Sequence, residues 1–329
     1  MEVKHLLSPE ERVGVFSWRL YRRYATDHLL PNHARQTVIL FNLLCAMGAP
    51  PPAPERQSIL ARAAEVLGGE FEHDFAAAAD FLLLALNAEP FEVGTSLTGL
   101  GEALISAQRP EGGWSFRRGG YGSIPATSRV LRTLVELCKR AESPGPCLLS
   151  NGLVNDLKAA LVRGYIWLDH TWGNDLIGKR ALPFKGGLVL SLVGDRPILA
   201  GYEPAAGLVT DTVRYLCDCQ LPTGAWTYLL PGNLESLAVG LSSPIDTGLV
   251  VLGLLATIDR LKAGPARRRA AEVLKRAEAF LEISLLPEGC WPSPDSLGLT
   301  NALDAGGRAL HRLLARRTDL AAARAEGRR

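Results

Sequence analysis

Two kinds of helical pattern alternate along the chain. In "ARRRAAEVLKRAEAFLEI" (266–283) the charges fall on one face and an apolar stripe recurs at helical spacing on the other, as in a helix with one side in water. In "DTGLVVLGLLATI" (246–258) nearly every position is apolar, which suits a helix enclosed on all sides. Paired in this way, the pattern predicts helices at about 9–25 with 33–48, 56–68 with 74–88, 95–108 with 125–140, 152–168 with 184–193, 206–220 with 245–260, and 266–284 with 302–316. The breaker "GAPPPAPE" separates the first two pairs. The second helix of the fourth pair lies in "GGLVLSLVGDRP", which reads equally as a short strand or a loop. Six hairpins with amphipathic members outside and apolar members inside predict an all-α fold, a closed (α/α)6 double-ring barrel. Residues 1–316 form its single domain, and the basic residues 317–329 form a solvated tail.

The hairpins are punctuated by a repeated stretch. "ALISAQRPEGGW" ends at Trp114 and "YLCDCQLPTGAW" at Trp226, with Gln, Pro, Gly and Trp at one spacing. "FLEISLLPEGCW", ending at Trp291, has Leu285 in place of the Gln. Trp172, in "YIWLDHTWGND", reads as a degenerate copy, so the Trp positions are 58, 54 and 65 residues apart. A period of this length holds two helices and a loop. The flat indole can seal a helix end, and a Gln amide can serve both donors and acceptors left open there. Gln108 and Gln220 are therefore expected to bond to a neighbouring repeat, with Leu285 replacing that bond by packing.

These stretches resemble the QW repeat of squalene-hopene and oxidosqualene cyclases, well over residues 95–316 and by helix pattern alone before that. The resemblance implies a class II terpene cyclase, an isomerase or lyase type of enzyme for isoprenoid or other specialised metabolites. It implies a hydrophobic small-molecule substrate and an Asp-x-Asp-Asp-Thr-Ala acid motif opening an inner helix. "SPIDTG" (243–248) takes that place, and only Asp246 and Thr247 match. Ile245 stands where the family has its proton donor, which leaves Asp246 as donor or as orienting partner. The alternative is a non-catalytic lipid-binding or partner subunit with the same barrel.

Asp304, in "NALDAGGRALHRL", corresponds to Asp246 in the next hairpin. Both acids also fit a capping box, Ser243-x-x-Asp246 and Asn301-x-x-Asp304. A barrel gathers inner-helix starts at one mouth, where His33, His73 and Asp74 would join them as accepting bases. Arg117 and Arg118, in the Gly-rich "FRRGGYGS", are candidates for holding a diphosphate. Trp18, Phe41, Phe81, Tyr121 and Tyr228 are the candidate aromatic lining for a carbocation. No cofactor and no metal are expected, because the positions where prenyltransferase β subunits place their zinc ligands hold neither thiolate nor imidazole.

Composition narrows this little. A formal net charge of +2 gives no reason to expect nucleic acid. Six scattered cysteines and an N-terminus without an apolar core point to the cytoplasm. The apolar runs are shorter than the roughly 20 residues needed to span a bilayer, which leaves a peripheral membrane contact or a second protein subunit open.

Overall fold

The computed structural model describes residues 7–26, 31–68, 73–88, 94–142, 150–193, 207–227, 242–293 and 295–326. Within them the chain runs through α1 (Pro9–Thr26), α2 (Pro31–Ala46), α3 (Ala53–Leu67), α4 (Phe75–Asn87), α5 (Gly94–Ser106) and α6 (Ile124–Glu142). It continues through α7 (Asn151–Ile177), α8 (Pro183–Ser191), α9 (Leu208–Asp218), α10 (Pro244–Thr257) and α11 (Pro265–Ile283). The last rod is α12 (Ser296–Ala302), which passes through a π-helical turn (Leu303–Gly307) into α13 (Arg308–Glu326). These make six hairpins, as the periodicity predicts. The undecided stretch of the fourth hairpin is helix α8, started by Pro183, whose fixed φ suits a first helical turn. Most of the expected basic tail is the end of α13, where Arg317 pairs with Glu278 at 3.2 Å.

The even-numbered helices and α12–α13 form an inner ring, with contacts passing from α2 to α4, α6, α8, α10, the π-turn and back to α2. Gln36 of α2 donates to Ser296 Oγ at 2.9 Å where the ring closes. α1, α3, α5, α7, α9 and α11 lie outside it.

The repeated stretches tie the outer helices together. In all three loops a backbone bond of 2.9–3.0 Å runs from the residue after the Gln or Leu to the residue before the Trp. Gly112, Gly224 and Gly289 hold positive φ there. A Cβ on each would overlap the carbonyl of Arg163, Arg276 and Arg12, respectively, so only glycine lets the loop press on the next outer helix. Gln108 Nε2 donates to Ala160 O and Gln220 Nε2 to Val273 O, each at 2.8 Å. Their Oε1 atoms accept from Arg163 at 2.6 Å and from Arg276 at 2.8 Å. In the third copy Leu285 is buried in the core, and Arg12 Nη1 reaches the Leu286 carbonyl instead, at 3.4 Å. The third loop thus docks on α1 and closes the outer ring.

Trp114, Trp226 and Trp291 are fully buried. Each indole N–H donates to the carbonyl ten residues earlier, at 2.7, 2.8 and 3.2 Å. Trp172 differs. It lies inside α7, because that helix runs on to Ile177, and its indole donates to Thr212 Oγ1 of α9 at 2.8 Å.

Candidate active site

Asp246 is the third residue of α10. Ser243 is the N-cap, its Oγ accepting from Asp246 N at 3.1 Å, and Pro244 follows it. The Ser243 N–H goes to the Trp226 carbonyl at 3.2 Å. It is therefore taken by the loop, and Asp246 does not serve as the return arm of a capping box. Trp226 N donates to Thr247 Oγ1 at 3.0 Å, and the same bond joins Trp114 N to Thr127 Oγ1 at 2.9 Å. Of the two residues that match the cyclase acid motif, the Thr is thus structural. Asp246 is buried, with 7% of its surface exposed. Burial pushes its carboxyl up to about 6, against an opposing hydrogen bond from Ser243. Such a group is about half protonated near pH 6 and mostly ionised by pH 7.

Asp304 is not Asp246's rim neighbour. α12 begins at Ser296 with Asp295 as N-cap, its Oδ1 accepting from Gly298 N at 2.6 Å. That places Asp304 in the π-turn, two turns inside the helix, so its capping-box reading is also corrected. Its carboxylate accepts from Arg308 Nε at 2.5 Å. Asp74 is the N-cap of α4, accepting from Ala77 N at 2.9 Å. It also pairs with Arg35 Nη1 at 2.9 Å. His33, at the start of α2, stacks on Tyr24 with ring centroids 5.1 Å apart, and its Nδ1 is buried without a hydrogen-bond partner. His73 is exposed. Asp246, Asp74 and His33 therefore mark the starts of α10, α4 and α2. α4 and α10 face each other across the inner ring.

The expected substrate-binding set does not converge. Phe41 and Phe81 are core residues at 0% and 4% exposure, whereas Tyr121 is 92% exposed. Trp18 is on outer helix α1, stacked on Tyr21 and covered by Arg22. Arg117 and Arg118 are exposed, and Arg117 forms an isolated bridge to Asp74. Tyr228 lies outside the described residues. Among the described residues no group of three or more His, Cys, Asp or Glu is placed to hold a metal ion, and no helix is long and apolar enough to cross a membrane.

No protein-family model matches the sequence, and no curated protein matches it. Solved structures do. Unsaturated glucuronyl hydrolase from Bacillus sp. GL1, responsible for the degradation of glycosaminoglycan, matches with a TM-score of 0.59 at 12% identity, over 92% of this chain and 94% of that one. An unsaturated glucuronyl hydrolase specific for heparin matches with a TM-score of 0.54 at 10% identity, over 94% and 98%. A Salmonella enterica protein described as a possible member of the GH105 family matches with a TM-score of 0.51 at 13% identity, over 96% and 97%.

At such identities a match establishes the architecture, and the all-α (α/α)6 barrel stands. The cyclase family does not. The whole-chain matches are to hydrolases of glucuronyl compounds, which overturns both the terpene cyclase reading and the expected hydrophobic substrate. The physical reason is visible in the site: among the described residues no aromatic lining assembles, and Ile245 leaves the family's acid position without an acid. Sequence reasoning placed Ser243 as the cap before Asp246, as observed, but missed Arg35 as the partner of Asp74 and Asp295 as the cap of α12. The last was signalled by Asp295 after a Pro in "PSPDS".

Proposed function

We propose that this chain is a hydrolase acting on a uronate-containing saccharide at the N-terminal rim of the inner ring, with Asp246 as general acid. Asp246 carries the proposal: a carboxyl group at an inner-helix start, 7% exposed and lifted by burial to about 6. Cleaving a sugar C–O bond requires a proton on the departing oxygen, and a buried carboxyl with a raised pKa is suited to deliver it. Asp74, at the start of α4 opposite α10 and ion-paired with Arg35 of the neighbouring α2, is the proposed second carboxylate, and Ser243 positions the acid. The saccharide class is taken from the glucuronyl hydrolases that share this architecture.

The test is incubation with unsaturated glucuronyl disaccharides from lyase-digested glycosaminoglycan, following loss of the ultraviolet absorbance of the unsaturated ring. Turnover is expected to decline as pH rises through about 6, and Asp246→Asn to lower it by roughly 100-fold or more. Absence of turnover with every such saccharide, or full turnover in Asp246→Asn, removes this reading.

A further inference from the structure

Away from the rim, a cavity of about 290 Å³ opens between α2, α4, α6 and α13. It lies at the lower edge of the ~300–1,000 Å³ range of small-molecule sites. Four cations line it, Arg132 and Lys139 of α6 and Arg308 and Arg312 of α13, against one acid, Glu136. Gly248 of α10 packs on Ala305, so these residues are separated from Asp246 by roughly 10 Å along the helix axes at 1.5 Å per residue.

Among the described residues, the acids near the cavity are already engaged. Glu136 lies 3.8 Å from both Lys139 Nζ and Arg140 Nε. Asp80 is paired with Arg129 at 2.9 Å, and Asp304 takes Arg308 Nε at 2.5 Å. Cys45, also in the lining, has its thiol pushed up to about 11 by burial and stays neutral. Arg132 makes no hydrogen bond or ion pair among the described residues. It is exposed to solvent although it lies on an inner helix, and it lines this cavity. The neighbouring Arg308 guanidinium is the largest cause that lowers its pKa, to about 10, and Arg312 adds to it. Gathered guanidiniums repel one another, and a bound anion relieves that repulsion while filling their planar N–H forks.

We propose that this cavity is a binding site for a phosphate-type dianion, free or as the phosphoryl group of a small metabolite, held between Arg132, Arg308 and Arg312. Two guanidiniums on α13 and one on α6 approach from different helices, so a tetrahedral oxyanion can meet each with a separate oxygen. The site is independent of the saccharide reading, since it uses neither Asp246 nor Asp74.

Calorimetric titration with inorganic phosphate and with glucose 6-phosphate, and acetate at matched ionic strength as control, tests the proposal. Saturable binding of phosphate but not acetate is expected. Equal affinity for the ester assigns the free ion and tighter binding of the ester assigns a phosphorylated metabolite. R132Q should weaken binding by roughly tenfold or more, the scale of one lost charge-assisted hydrogen bond. R132K, which retains charge without the planar fork, should fall between. In phosphate-free buffer R132Q should melt at or above the wild-type temperature, because it removes repulsion, whereas a merely structural arginine would melt lower when replaced. Equal responses to phosphate and acetate, or an unchanged Kd in folded R132Q, overturn the site.

Discussion

The two halves of the inner ring solve one packing problem in opposite ways. Between α8, α10 and the π-turn, the backbones touch: a Cβ on Gly253 would overlap the Gly187 carbonyl, and one on Gly248 would overlap Ala305. Between α2, α4, α6 and α13, charged side chains line a cavity instead. α10 is apolar nearly all round where its neighbours close on it. α6 and α13 are inner helices too, yet they turn Arg132, Glu136, Arg308 and Arg312 toward the interior. A polar face inside a ring is tolerable only if it borders water or a ligand. The closed half is packed backbone against backbone, and the open half encloses the cavity.

The contrast is broken most directly by adding volume to each half. Gly253→Leu must force α8 and α10 apart, and it is expected to abolish folding or to lower stability by more than about 4 kcal/mol. Ala46→Leu adds atoms on the open side, at a residue that lines the cavity, and should change stability by less than about 1 kcal/mol. Denaturant unfolding of the two variants reads the difference directly. Similar losses in both would mean that the halves are packed alike.

Second in size is Trp226→Ala. The indole is fully buried and joins α9 to the start of α10, on the side of the ring without spare space. The void it leaves cannot collapse, so a loss of about 3–5 kcal/mol is expected from urea unfolding. A loss below about 1 kcal/mol would show that the closed half can relax after all.

The sequence made the rings legible because periodicity reports which helix faces meet water, and the Gln, Gly and Trp spacing reports one loop docking on the next helix. The third loop shows how far that holds: even without its Gln, Gly289 and Arg12 preserve the contact. Trp172 shows where it stops, since the same residue at the same period sits inside α7 and bonds a different partner. The candidate site was harder to read. Asp246 could be picked out by its place after a Trp loop, but the choice between cap and acid depended on where the Ser243 N–H goes. Asp304 was misplaced because α12 begins earlier and carries an extra turn of π-helix. The arginine-lined cavity left no local signal, for its residues come from α6 and α13, far apart in the chain. Their juxtaposition is a property of the closed ring.

The smallest effect bears on the rim itself, through the pH dependence contributed by Asp246. Its carboxyl has an ordinary value of 3.8 and lies at about 6 in the folded chain. Below about pH 4 both the folded and the unfolded chain hold the proton, and the group contributes nothing. Between pH 4 and 6 the unfolded chain releases its proton first, so the folded state binds more protons and stability falls as pH rises. Above about pH 6 the penalty of a buried carboxylate is complete, at most about 3 kcal/mol at 1.36 kcal/mol per pKa unit. Asp246→Asn does not titrate. It should therefore match wild type near pH 4 and exceed it at pH 7 by about 1–3 kcal/mol, less whatever the Ser243 hydrogen bond contributed. Melting curves of both proteins at pH 4, 5, 6 and 7 give the comparison. A difference that does not grow with pH would mean that Asp246 is well solvated, and a solvated carboxylate would lack the retained proton on which its proposed role as general acid depends.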